Sequence, residues 1–81
     1  MTNLEKFREA YVACLTKVVT ENPEDYLYKI EHVPLVVEKM IKCILAGESV
    51  MIGPAMKATA RKLKIKTTMT AVREYLDVKP K

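Results

Sequence analysis

The chain has 81 residues, of which 49% are hydrophobic and 30% are charged, with a formal net charge of +4. This length and composition predict one small globular domain and exclude an intrinsically disordered chain. No apolar run reaches the roughly 18 residues of a membrane span, and two cysteines are too few for a disulfide scaffold.

A first helix is predicted over residues 3–21. Thr2 and Glu5 have the spacing of a capping box, which predicts the start of the helix. Pro23 disfavours helical geometry in the residue before it, so the helix should end near Asn22. Apolar side chains recur at intervals of three and four between these ends, at Leu4, Phe7, Tyr11, Cys14 or Leu15, and Val18.

Residues 23–33 give a mixed signal. Residues 22–25 combine a capping residue, a proline and two acids, which is typical of a helix start. Tyr26, Tyr28 and Ile30 then recur at every second position, as they would in an extended connector. We predict a single helical turn followed by an irregular link.

The second predicted helix, residues 34–46, is apolar over more than half of its circumference. Gly47 stands where a left-handed residue would close it. One side of the helix is lined by Val33, Val37, Met40, Ile41 and Ile44. So wide an apolar surface predicts a central helix with neighbours on two sides.

Two further helices are predicted, over residues 54–64 and 68–77. Gly53 and Pro54 have the pattern of a helix start, and Thr67 is available as the N-cap of the last helix. Residues 78–81 should fray. The buried cluster that joins the two helices is predicted to contain Met56, Ala60, Leu63, Ile65, Met69, Val72 and Leu76. Together the four segments predict an all-α, single-domain bundle.

Charge is sorted along the chain. Residues 1–48 contain eight acidic and six basic side chains, whereas residues 49–73, the basic segment, contain no acidic one. The bases of the basic segment are Lys57, Arg61, Lys62, Lys64, Lys66 and Arg73. Such sorting is informative about partners rather than about the fold, and nucleic acid is the first partner to consider.

Residues 60–65 resemble the turn region of helix-turn-helix domains. In that family a small residue lets two helices cross closely, and an apolar residue, a turn residue and an apolar plug follow. Ala60, Leu63, Lys64 and Ile65 occupy these places in order. The resemblance extends over residues 55–76 and implies DNA binding by the last two helices.

The resemblance also makes predictions about the turn. The family's turn residue has a left-handed backbone and is usually glycine, so Lys64 there would cost roughly 1 kcal/mol. Met69 and Val72 come one residue earlier than in the family, which implies a shorter turn. The ending of the chain, from Lys57 to Leu76, also resembles those of small uncharacterised phage and prophage proteins.

These patterns predict two kinds of DNA contact. Phosphates would be met by Lys57, Arg61, Lys62, Lys64 and Lys66, which gives affinity without sequence information. The last helix would present Thr67, Thr68, Thr70, Ala71 and Glu74 outward. Base edges in the major groove would be met by Thr68, Thr70, Ala71 and Arg73. Threonine hydroxyls hydrogen-bond to several bases, so strong sequence specificity is not expected.

The basic segment has two other interpretations. It is either a solvated lysine face or a docking surface for an acidic partner, in which case the chain is a protein-interaction module that modulates a host protein. A DNA-binding module of this size would act as a homodimer, because one copy makes few base contacts. Full burial of the second helix within one chain would argue against a dimer through that helix.

No residue pattern indicates catalysis. His32 has no second histidine to work with, and Cys14 and Cys43 lie on or beside apolar stripes, where packing is the simpler role. The four tyrosines are better explained by packing than by base stacking, since three of them lie in the first half of the chain, well before the basic segment. We therefore predict no enzyme, no cofactor, no metal and no membrane association. We expect a cytoplasmic protein, in the host cytoplasm if a phage encodes it.

Overall fold

A computed structural model of the protein describes residues 1–78. Its four α-helices are Asn3–Glu21 (α1), Val33–Leu45 (α2), Pro54–Lys62 (α3) and Met69–Tyr75 (α4). No strand occurs within residues 1–78, and the predicted small all-α bundle of four helices is confirmed. No helix in this part of the chain combines the length and the apolarity needed to cross a bilayer.

Local sequence signals set the start of α1. The Thr2 hydroxyl accepts a hydrogen bond from the Glu5 amide at 3.1 Å, and the Glu5 carboxylate accepts one from the Thr2 amide at 3.4 Å. This is the predicted capping box, which satisfies amides that have no partner within the helix. At the other end of α1, the Asn22 amide donates a hydrogen bond to the Val18 carbonyl.

The other three helices share one kind of ending, which differs from that of α1. The chain turns into a left-handed residue just after each of them, at Gly47, Lys64 and Asp77. After α3, the Lys64 amide donates to the Arg61 carbonyl at 3.1 Å and the Ile65 amide to the Ala60 carbonyl at 3.0 Å, as in a Schellman motif. The left-handed backbone expected at Lys64 is confirmed, with a φ of 59°.

The central helix is α1, so the prediction that the second helix is central was wrong. The two α-helix pairs with extensive contact, α1 with α3 and α1 with α2, both include α1. α2 buries one face, made of Val33, Val37, Ile41 and Ile44. Leu35 remains 60% exposed and Leu45 45% exposed, because α1 is the one long helix available to cover α2.

The connection between the last two helices is longer than predicted. α3 ends at Lys62, because left-handed Lys64 stops it, and α4 begins only at Met69. The N-cap of α4 is Thr68 rather than Thr67, and its hydroxyl accepts from the Ala71 amide at 3.1 Å. The link therefore spans residues 63–68 and is not the short turn that the sequence implied.

The prediction that the chain frays from Val78 onward was wrong for Val78 itself. Its amide donates to the Arg73 carbonyl at 2.9 Å, and its side chain packs against the core. This hydrogen bond and the half-buried Val78 side chain hold the chain against the fold just after α4. The rest of the predicted tail, residues 79–81, lies outside the described residues.

Residues 22–32, the connector, join α1 to α2. The predicted single turn is present as a 3₁₀ turn at Pro23–Asp25, and an irregular link follows. A second 3₁₀ turn, Ile30–His32, was not predicted. In it the ring Nδ1 of His32 accepts from the Lys29 amide at 3.2 Å, which gives the histidine a local structural role.

Candidate nucleic-acid interface

α3 buries one side against α1 and leaves its cations outside. Met56 and Ala60 are each 1% exposed, and Thr59 is fully buried. The Thr59 hydroxyl donates to the Ala55 carbonyl at 2.7 Å, so it is hydrogen-bonded without any partner outside the helix. Sequence reasoning missed Thr59, although its position beside Ala60 and three residues after Met56 was a usable signal.

Two of the predicted phosphate contacts share one side of α3. Lys57 and Arg61 lie four residues apart, which places them together on the helix surface, and both are exposed. Exposed Lys64 follows in the left-handed turn after α3. We call these three residues the cationic stripe. Exposed Lys66 follows it in the link to α4.

Lys62 lies apart from the cationic stripe. Its position is more than a quarter turn around the helix from Arg61, and it lines a groove between α1 and α3. Lys17 and Cys14 line the same groove from α1. The five predicted phosphate contacts therefore do not form a single surface.

The cationic stripe has no intramolecular carboxylate partner within residues 1–78. The ion pair found in this part of the chain joins Arg8 of α1 to Glu38 of α2, away from the stripe. An exposed cation that holds no carboxylate can meet a phosphate without first breaking an existing ion pair. The stripe is therefore the strongest candidate anion-binding surface among the described residues.

The residues predicted to face DNA from the last helix differ in their exposure and in their hydrogen bonding. Thr67, Thr68 and Thr70 are exposed, and Ala71 is half-buried. The Thr68 hydroxyl is already engaged as the helix cap, so Thr70 is the freest hydroxyl on α4 itself. α4 spans only about 10 Å at 1.5 Å per residue, and it also exposes Glu74, whose charge opposes phosphate.

Arg73 is half-buried and is hydrogen-bonded back to the fold. Its Nη2 donates to the Glu48 carbonyl at 2.8 Å, which ties α4 to the turn after α2. Its Nε is buried. On the other side, the Asn3 side-chain amide donates to the Tyr75 carbonyl at 2.9 Å. These two hydrogen bonds fix α4 against the ends of α1 and α2.

The cysteines lie at the edges of the core. Cys14 and Cys43 are free and half-buried. The pKa of the Cys43 thiol is raised above its usual value, chiefly by its interaction with the Glu48 carboxylate and to a smaller extent by burial, both of which disfavour the thiolate. A raised pKa lowers the thiolate fraction, so Cys43 is poorly suited to nucleophilic chemistry.

Three of the tyrosines form one packed group. Burial raises the pKa of Tyr11 to about 12, with smaller contributions from Tyr28 and Tyr26 nearby. Tyr26 and Tyr28 meet edge to face, with ring centroids 5.6 Å apart. Their position in and under the connector supports the packing interpretation over base stacking. Within residues 1–78, no three histidine, cysteine or acidic side chains come together as a metal site.

Comparison with protein-family models, with curated proteins and with solved structures finds no match for this chain. A function for the surface around α3 therefore has to come from its own geometry and charge.

Proposed function

We propose that the protein is a small, non-catalytic DNA-binding protein of the phage or prophage regulator kind, acting in the cytoplasm. It would grip duplex DNA with the cationic stripe and Lys66. One observation carries this proposal. Exposed bases cluster on α3 and the link after it, none is ion-paired within residues 1–78, and residues 49–73 contain no acidic side chain.

The mechanism follows from how α3 is held. Because its inner face is buried against α1, the stripe is presented on a fixed support, and little order has to be gained on binding. Each phosphate neutralised by a lysine or arginine releases condensed counterions, which supplies affinity. If α4 acts as the recognition helix of a helix-turn-helix-like pair, Thr70 would meet a base edge, although α3 and α4 make little direct contact with each other. Sequence preference would be weak, because Arg73 is engaged with Glu48.

The test is a titration of labelled duplex DNA at several salt concentrations, followed by fluorescence anisotropy. Affinity should fall with a log–log slope near −0.9 per phosphate contacted. The double variant Lys57→Ala/Arg61→Ala should flatten that slope by about two units. Lys62→Ala should change it by less than about one unit, because Lys62 lies off the stripe.

The matched control removes the same charge elsewhere. Lys39 and Lys42 are exposed on α2, so Lys39→Ala/Lys42→Ala should leave the slope nearly unchanged. Equal losses in both double variants would show that only net charge matters. No binding at tens of micromolar protein in near-physiological salt would reject the DNA proposal.

Thr70→Ala tests the second kind of contact. It should alter the preference among DNA sequences more than the salt slope, because its proposed contact is to a base edge. A change in slope with no change in preference would place Thr70 at the backbone instead.

The apolar surface left on α2 favours a second function, that of a protein-interaction module or homodimer. Leu35 and Leu45 are 60% and 45% exposed, so the apolar surplus of α2 is not consumed within one chain. Sedimentation of the wild type and of Leu35→Ser/Leu45→Ser over a range of concentrations tests the dimer. Self-association that the double variant abolishes would support it.

A further inference from the structure

The connector forms one wall of an open groove against the end of α1. The volume of the groove is about 700 Å³. Its apolar lining consists of Val19, Pro23, Tyr26, Leu27, Tyr28 and Ile30. The groove lies in the connector and not in the basic segment, so it forms a second surface with its own chemistry.

Two large apolar side chains of this groove are left to solvent. Leu27 is 107% exposed, so it buries nothing within its own chain, and Ile30 is 48% exposed. Tyr26 and Tyr28 beside them are half-buried and packed edge to face. A fully exposed leucine next to a tyrosine pair gives an apolar contact surface that water covers poorly.

The charges around the groove are mainly negative. Glu31 lines the groove, and exposed Glu24 and Asp25 lie on the 3₁₀ turn beside it. Lys29 is the one lysine or arginine among residues 22–32. Within residues 1–78, none of these acids forms an ion pair. Phosphate would be repelled here, whereas lysine and arginine side chains would be attracted.

We propose that this groove binds a partner protein through a cationic, leucine-rich segment of its chain. The apolar side chains of that segment would cover Leu27 and Ile30, and its cations would meet Glu24, Asp25 and Glu31. The proposal is independent of DNA binding, because the groove and the cationic stripe share no residue.

The test begins with a displayed library of random peptides of about 16 residues, which span about 24 Å when helical. The full chain is the bait, and the variant Leu27→Ser is the counter-selection. Because Leu27 contacts no core residue, this substitution should leave the unfolding midpoint unchanged. Enriched peptides should carry net positive charge and several large apolar residues.

One enriched peptide, made synthetically, then serves as the binding probe. Leu27→Ser should weaken its affinity about tenfold, since a central apolar contact is lost. Glu24→Gln/Asp25→Gln should weaken it severalfold and reduce its salt dependence. Met51→Ser is the matched control, because that methionine is 89% exposed between α2 and α3 and lies outside the groove, and it should leave the affinity unchanged.

Nuclear magnetic resonance shifts identify the surface that is used. Peptide-induced shifts should be concentrated in residues 19–31. No enrichment over the Leu27→Ser variant, enriched peptides without positive charge, or shifts confined to the outer face of α2 would each overturn it. Concentration-dependent shifts in residues 19–31 without peptide would also overturn it, because a second copy of the chain would then be the occupant.

Discussion

The two sides of α1 differ in what they leave exposed, although both bury an apolar face against it. On one side lies α3, with buried Met56 and Ala60 and outward cations. On the other side lie the connector and α2, which expose Leu27 and Leu35. The inner faces of both sides are apolar and exclude water, so they stabilise the fold. The outer faces differ in charge and apolarity, so they determine which partners each side can bind.

The two sides also differ in the size of the side chains that they bury. The buried face of α3 includes the small side chains of Ala55 and Ala60 beside Met56, whereas that of α2 is made of branched aliphatic residues. Each of these larger side chains buries more apolar area than an alanine does.

The largest effects should come from truncating the inner faces. Met56→Ala on α3 and Ile44→Ala on α2 should each lower the free energy of unfolding by about 2–5 kcal/mol, because both side chains are almost fully buried. Leu63→Ala should cost less, since Leu63 is only half-buried. Urea unfolding followed by circular dichroism measures all three. A loss at Leu63 as large as that at Met56 would contradict the packing described for the end of α3.

A pH effect should follow from the connector side of α1. Because the folded chain raises the Tyr11 pKa from 10.0 to about 12, it binds the phenol proton more tightly than the unfolded chain does. That contribution, roughly 2–3 kcal/mol, is complete below pH 10 and is lost as pH rises through about 12. Urea unfolding at pH 9 to 12 should show a steeper decline for the wild type than for Tyr11→Phe. Parallel declines would mean that Tyr11 is not buried against Tyr26 and Tyr28.

Matched turns on the two sides should respond in opposite directions. Gly47 after α2 and Lys64 after α3 both have positive φ, at 78° and 59°. Gly47→Ala should destabilise the fold by about 1 kcal/mol, and Lys64→Gly should stabilise it by up to about 1 kcal/mol, because glycine has no Cβ to strain there. Thermal unfolding of both variants provides the measurement. Destabilisation by Lys64→Gly would show that the lysine stem contributes packing that outweighs its backbone strain.

The smallest effect should come from the ion pair that joins α1 to α2. The Arg8 and Glu38 side chains are 40% and 50% exposed, so solvent screens their attraction. A double-mutant cycle with Arg8→Ala and Glu38→Ala should give a coupling below about 1 kcal/mol, decreasing further with salt. A larger coupling that resists salt would mean that this pair helps to position α2 on α1.

Sequence reasoning gave the elements where local chemistry decides the structure. The capping box at Thr2, the left-handed residues at Gly47 and Lys64, and the turn at Pro23–Asp25 each depend on a few neighbouring residues. It failed for the N-cap of α4, because Thr67 and Thr68 are chemically equivalent and the link geometry selects between them.

The candidate site was predictable in composition but not in arrangement. The basic side chains could be counted from the sequence, yet their division between the cationic stripe and the α1–α3 groove depends on which face of α3 meets α1. Arg73 was assigned to DNA because its charge is visible in the sequence. Its hydrogen bond to the Glu48 carbonyl spans 25 positions, and no local pattern indicates it.

The sequence by itself determined the four helices, the capping box of α1 and the sorting of charge, because these follow from periodicity, from local hydrogen bonds and from residue type. Only the tertiary structure decided that α1 is central, that α2 keeps Leu35 exposed and that Arg73 is an internal tie. The physical reason is that an apolar stripe in the sequence indicates how much of a helix surface favours burial, but it does not identify the neighbouring element that buries it.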